Sequence, residues 1–130
     1  MTDPGPLLID GNNVMGAAAD GWWRDRAGAT RRLIDRVRCY ARVTGRPVTI
    51  VFDNALPDLP EGEHDGITVR YATRRGRDAA DDRIVELLDG DTGAVEIVTS
   101  DRALASRSLG GDRVVTGAGT FLGLLDRHGC

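Results

Sequence analysis

Three aspartates close the three most apolar stretches of the chain. Asp10 follows Leu7-Leu8-Ile9, Asp53 follows Val48-Thr49-Ile50-Val51-Phe52, and Asp101 follows Ala94-Val95-Glu96-Ile97-Val98 after the two hydroxyl residues Thr99 and Ser100. A further pair, Asp81-Asp82, stands at the start of an amphipathic segment. Carboxylates brought within a few ångströms of one another repel, so such a group either takes up a proton or holds a cation. Oxygen-only donors, with water completing the shell, suit Mg²⁺ or Mn²⁺ and not zinc. The two histidines, His64 and His128, occupy loop and terminal positions, which argues against an imidazole-based centre.

Each acid also has a plainer explanation. Asp10-Gly11-Asn12-Asn13 is built from turn-forming residues. Asp81 and Asp82, with Asp78, sit where negative charge favours a helix N-terminus by about 0.3–1 kcal/mol, and Asp101 is a natural helix cap. Capping does not account for Asp53, which leads into a loop. The three runs share one ending, and that coincidence favours a common site.

The acids can meet only if their strands are neighbours. The pattern predicts strands over about 6–10, 48–52, 67–72, 94–98 and 113–116. It predicts helices over about 29–43, 78–88, 102–109 and 120–127, with apolar residues at helical spacing such as Leu33, Val37, Tyr40 and Ala41 in the first. The stretch between the first strand and first helix, with Trp22-Trp23, reads as irregular. The acid-, proline- and glycine-rich stretch 54–66 reads as an exposed excursion. Strands alternating with helices predict an α/β three-layer sandwich with a central, mostly parallel sheet of about five strands. In that architecture the carboxyl ends of the strands share one edge, where ligands bind.

With 130 residues, 41% hydrophobic and 28% charged, the chain fits one domain over 1–130 with a real core. No apolar run approaches a membrane span and no leader pattern is evident, so a cytoplasmic protein without membrane association is expected. Cys39 and Cys130 lie far apart and predict neither a disulfide framework nor a zinc motif. All 17 basic residues are arginine: eight fall between Arg24 and Arg46, and Arg70, Arg74, Arg75 and Arg77 form a second group. Positive surface is therefore available despite a net charge of −3. The absence of lysine argues against an acid-cluster phosphotransfer domain of receiver or haloacid type, which needs a lysine beside the phosphoryl group.

Leu8-Ile9-Asp10-Gly11-Asn12-Asn13, Phe52-Asp53, Ala80-Asp81-Asp82-Arg83-Ile84, Val98-Thr99-Ser100-Asp101-Arg102 and Gly117-Ala118-Gly119-Thr120-Phe121-Leu122 together resemble, in order, the successive motifs of NYN-domain proteins. These are a PIN-like branch of metal-dependent ribonucleases, and the pattern is most similar to their bacterial YacP-like members. At Asn12 the sequence departs from the family, where an aromatic is common. The resemblance implies a PIN-like fold and hydrolysis of RNA phosphodiesters with Mg²⁺ or Mn²⁺, an endonuclease being the expected form. It implies Asp10, Asp82 and Asp101 as catalytic metal ligands, with Asp81 and Asp53 as further carboxylates. Asn13, Thr99 and Ser100 would orient ligands or the phosphate. Arg102, and Arg74, Arg75 and Arg77 in the bend before the second helix, would contact the RNA backbone, where guanidinium forks match phosphate geometry. The alternative is a catalytically inactive PIN-like module that binds RNA or a protein partner around a structural metal.

Two motifs carry less. The glycines of 117–123 suggest a dinucleotide fingerprint, but the third falls one place late, and a tight strand-to-helix turn is the better reading. Trp22-Trp23 are candidates for base stacking, for a lid over the site, or for a subunit contact in a homodimer.

Overall fold

The computed structural model describes residues 5–18, 21–72, 79–88, 95–108 and 113–130, apart from the side chains of Ala79, Asp81 and Ser108. Its centre is a six-stranded sheet made of β1 (Leu7–Asp10), β2 (Val48–Phe52), β3 (Gly62–His64), β4 (Ile67–Tyr71), β5 (Val95–Val98) and β6 (Arg113–Thr116). The spatial order is β3-β4-β2-β1-β5-β6, and every pairing is parallel except β3 with β4. The helices are α1 (Gly11–Ala17), α2 (Arg26–Thr44), α3 (Ala79–Leu88), α4 (Arg102–Ser108) and α5 (Ala118–Arg127), with a short 3-10 turn at Trp22–Arg24.

The period-two alternation of the strands builds two cores. Leu7, Ile9, Ile50, Phe52 and Val98 point to one face and pack with Val14, Leu33, Val37 and Phe121 from α1, α2 and α5. Leu8, Val51 and Ile97 point to the other and pack with Ile84, Leu88 and Leu104 from α3 and α4. Each such fully buried aliphatic side chain contributes about 1.5–3 kcal/mol. The result is three layers, helices on both faces of the sheet, as parallel strands require.

Three features differ from the sequence expectation. The sheet has six strands, because the excursion after β2 returns a three-residue antiparallel strand, β3, along the edge of β4. The chain after Asp10 forms helix α1 and not an irregular stretch, since burying Val14 and Met15 against the sheet outweighs the poor helix propensity of Gly11-Asn12-Asn13. Cys39 and Cys130, expected to stay apart, are joined by a disulfide, because α2 and α5 pack side by side and bring the two Cα atoms to 5.6 Å. The predicted boundaries at 78, 94 and 109 lie outside the described residues.

Gly11 shows how tightly the strand-to-helix transition is built. A Cβ here would lie 2.5 Å from Phe52 Cε1 and 2.8 Å from the Val51 carbonyl oxygen, so α1 starts flush against β2 only because this residue has no side chain. Gly11→Ala is expected to destabilise by about 1–3 kcal/mol through overpacking, outweighing the helix-propensity gain of at most about 1 kcal/mol. Urea denaturation would measure it; a variant as stable as the parent would contradict the crowding argument.

Candidate active site at the carboxyl edge of the sheet

Because β1 lies between β2 and β5, their carboxyl ends bring Asp10, Asp53 and the Thr99-Ser100-Asp101 turn to one edge of the sheet. Asp10 is the most enclosed of these acids, only 3% exposed, and its carboxylate accepts a hydrogen bond from the Thr99 hydroxyl at 3.0 Å. It also caps α1, with Asn13 N–H 3.5 Å from Oδ1. Burying a charge this far requires such donors, because an unpaired buried carboxylate is strongly penalised.

The two asparagines after Gly11 fasten β1 to both neighbours. Asn12 Oδ1 accepts the backbone N–H of Asp53 at 2.7 Å, and Asn13 Oδ1 accepts that of Ser100 at 2.7 Å. Ser100 Oγ in turn accepts the N–H of Ala118 at 2.8 Å, joining the first turn of α5 to the same edge. The Gly117–Gly119 segment thus serves as the tight strand-to-helix turn expected of it. Asn12, a departure from the resembled pattern, was not expected at the site; its signal was the tandem amide pair directly after the strand.

The remaining acids have partners of their own. Asp53 Oδ1 accepts the N–H of Ala80 at 3.0 Å, so this loop acid does cap a helix, the distant α3. Asp101 Oδ1 accepts from Ala103 N–H at 2.9 Å and Leu104 N–H at 3.2 Å, and its own N–H donates to Thr99 Oγ1 at 3.1 Å. Asp82, on α3, forms an ion pair with Arg107 of α4 at 2.8 Å. Arg102 is exposed. Arg74, Arg75, Arg77 and the side chain of Asp81 lie outside the described residues.

In kind, these oxygen donors suit a hard divalent cation. In arrangement, no three His, Cys, Asp or Glu residues among those described are grouped to hold one. The Asp82–Arg107 pair is a weak constraint: its side chains are 37% and 44% exposed, and such surface pairs contribute about 0–1 kcal/mol. Both helix-capping bonds of Asp101 fall on Oδ1, leaving Oδ2 without a hydrogen bond among the described residues.

Asn caps a helix as well as Asp does, so substitutions at Asp101 separate capping from chemistry. Asp101→Asn is expected to stay within a few tenths of a kcal/mol of the parent and Asp101→Ala to lose about 1 kcal/mol, read by urea midpoints. Equal loss in both would mean that the charge itself stabilises the fold.

A mostly parallel six-stranded sheet with helices on both faces is the PIN-like fold. Residues 7–122 match the YacP-like NYN domain, and the chain belongs to that family. In fold it is similar to the crystal structure of Rae1 (YacP) from Bacillus subtilis in a tryptophan-to-leucine variant, with TM-score 0.77 and 23% identity over 96% of this chain and 77% of that one. A second crystal structure of Rae1 (YacP) from the same organism gives TM-score 0.72 and 23% identity, over 98% of this chain and 76% of that one. No curated protein matches the chain. Among the described residues, no helix is long and apolar enough to cross a membrane.

Proposed function

We propose that the chain is a metal-dependent ribonuclease that hydrolyses RNA phosphodiester bonds, as an endonuclease, at the carboxyl edge of its sheet in the cytoplasm. Family membership supports a nuclease-type, RNA-related function. The observation that carries the finer reading is the β2-β1-β5 adjacency, which gathers Asp53, Asp10 and Asp101 from ninety positions of sequence to one edge.

Asp10, Asp82 and Asp101 would hold Mg²⁺ or Mn²⁺, with Asp81 and Asp53 as further carboxylates. When bound, the ion supplies an activated water and neutralises charge on the leaving oxygen. Thr99 fixes the Asp10 carboxylate through its hydroxyl, and Asn13 holds the Ser100 turn that positions Asp101. Arg102, with Arg74, Arg75 and Arg77, would contact the phosphates of the strand.

The test is cleavage of end-labelled single-stranded RNA in Mg²⁺ or Mn²⁺, with and without EDTA. Cleavage lost on chelation and lost in Asp101→Asn, whose cap survives, is the expected result. Cleavage that persists through both would refute the reading. The competing reading, an RNA-binding module without turnover, is favoured by one observation: Asp53 and Asp101 both serve helix N-termini and Asp82 is paired with Arg107. RNA binding with no cutting at any Mg²⁺ or Mn²⁺ concentration would establish it.

A further inference from the structure

Beside the acidic edge, between α1, the first turn of α2 and the segment leaving β2, lies a cavity of about 220 Å³. Its lining includes three buried apolar side chains, Met15, Phe52 and Leu56, and three polar ones nearer solvent, Asn12, Asn54 and Arg26. Phe52 immediately precedes Asp53, and Asn12 is the residue whose side-chain carbonyl accepts the Asp53 N–H, so the cavity adjoins the acids through shared residues. That bond fixes the Asn12 amide through its oxygen, and among the described residues its NH₂ group makes no hydrogen bond, so it is the donor a ligand would meet. The Arg26 guanidinium lies 5.3 Å from the centroid of the Trp22 ring, so this wall of the cavity carries a cation backed by an aromatic face. Trp23, 61% exposed, stands edge-on to Trp22 at 6.2 Å, with Arg24 5.9 Å from its own centroid.

We propose that this cavity takes an unpaired nucleobase of the RNA strand, that of a nucleotide neighbouring the scissile phosphate. The proposal rests on the ribonuclease reading above and adds a specificity subsite to it. A base is flat and apolar on its faces, polar along its edge, and tethered to an anionic backbone. The apolar lining receives the face, side-chain amides of the Asn12 and Asn54 type match base edges, and guanidinium planes stack on bases and pair with phosphate. A base held in a duplex presents neither face nor edge in this way, so the subsite selects single-stranded RNA.

The test scans an RNA of about ten nucleotides with a single abasic nucleotide at each position, reading kcat/KM for cleavage by the parent protein, by Ala27→Phe and by Asn54→Ala. Ala27 is exposed on the first turn of α2 and lines the cavity, so a phenyl ring there fills it without disturbing the core. In the parent, one position fixed relative to the cut is expected to lose about tenfold when abasic, the scale of one base–protein stacking contact. Ala27→Phe is expected to cut intact RNA about tenfold less well, through KM, and to have lost sensitivity at that same position. Asn54→Ala, in an exposed loop, should lose a few-fold and guards against misfolding of the first variant. Parental kcat/KM and an unchanged abasic profile in both variants would overturn the subsite while leaving the ribonuclease reading intact. A parent protein that cuts no RNA in either metal would overturn that reading and the subsite with it.

Discussion

Asp10→Asn is expected to reduce RNA cleavage by at least about 100-fold while leaving the thermal midpoint within a few degrees of the parent. Outer groups that merely orient metal ligands already contribute about 10–100-fold when removed, so the direct-ligand role proposed for Asp10 would set that range as a floor. The stability expectation follows from what Asp10 touches. Its two oxygens accept from Asn13 N–H and from the Thr99 hydroxyl. An asparagine keeps one carbonyl oxygen for the helix cap, and its NH₂ group can donate to Thr99 Oγ1 once the hydroxyl turns. Removing a charge that is 97% enclosed also lowers the cost of burial. A variant that folds as well as the parent and still cleaves at more than a tenth of its rate would remove Asp10 from the chemistry.

Loss of the Cys39–Cys130 bond is expected to lower unfolding free energy by about 2–4 kcal/mol. The bond closes a loop of 91 positions, and in the chain-entropy account a loop of about 100 residues gives about 4.7 kcal/mol, an upper figure that measured cases seldom reach. The native packing of α5 on α2 does not depend on it alone. Arg36 donates to the Cys130 carbonyl at 3.0 Å and pairs with Asp126 at 2.7 Å, and Tyr40 meets both Phe121 and His128 edge-on. The reduced protein should therefore remain folded and lose stability, not structure. Urea midpoints of the parent with and without reductant, beside a Cys39→Ser variant that ignores reductant, give the measurement. Coincident curves would show that the crosslink leaves the unfolded chain as free as before. In the cytoplasm proposed here, glutathione and thioredoxin oppose such bonds, so the reduced form is the one whose margin matters there.

The strands were legible because burial on both faces of a parallel sheet leaves runs such as Val48–Phe52 with no polar alternation, and each such run ends in polar residues at the carboxyl edge of the sheet. That grammar puts Asp10, Asp53 and Asp101 at strand ends, and the β2-β1-β5 adjacency brings those ends to one edge. Helix α1 was not legible: Gly11-Asn12-Asn13 has the composition of a turn, and only the burial of Val14 and Met15, together with clamps to residues 41 and 87 positions away, makes it helical. Strand β3 was missed because three residues, two of them charged or titratable, carry no periodicity of their own and pair only because the chain doubles back at Asp65-Gly66, where both residues have positive φ. The disulfide depends on α2 and α5 lying side by side, which no local pattern encodes. Nor does the sequence reveal that Asp82 would find Arg107, since that pair depends on how α3 and α4 stand against each other.

The absence of any loop between β1 and α1 leaves the Asp10 carboxylate no slack. With Gly11 wedged against Phe52 and amide clamps on either side, it can move only if strand and helix move together. It is a fixed anvil, whereas Asp82 and Arg107 meet in solvent and can part at little expense; on the ribonuclease reading proposed above, adaptation to a bound strand would come from that pair and not from Asp10.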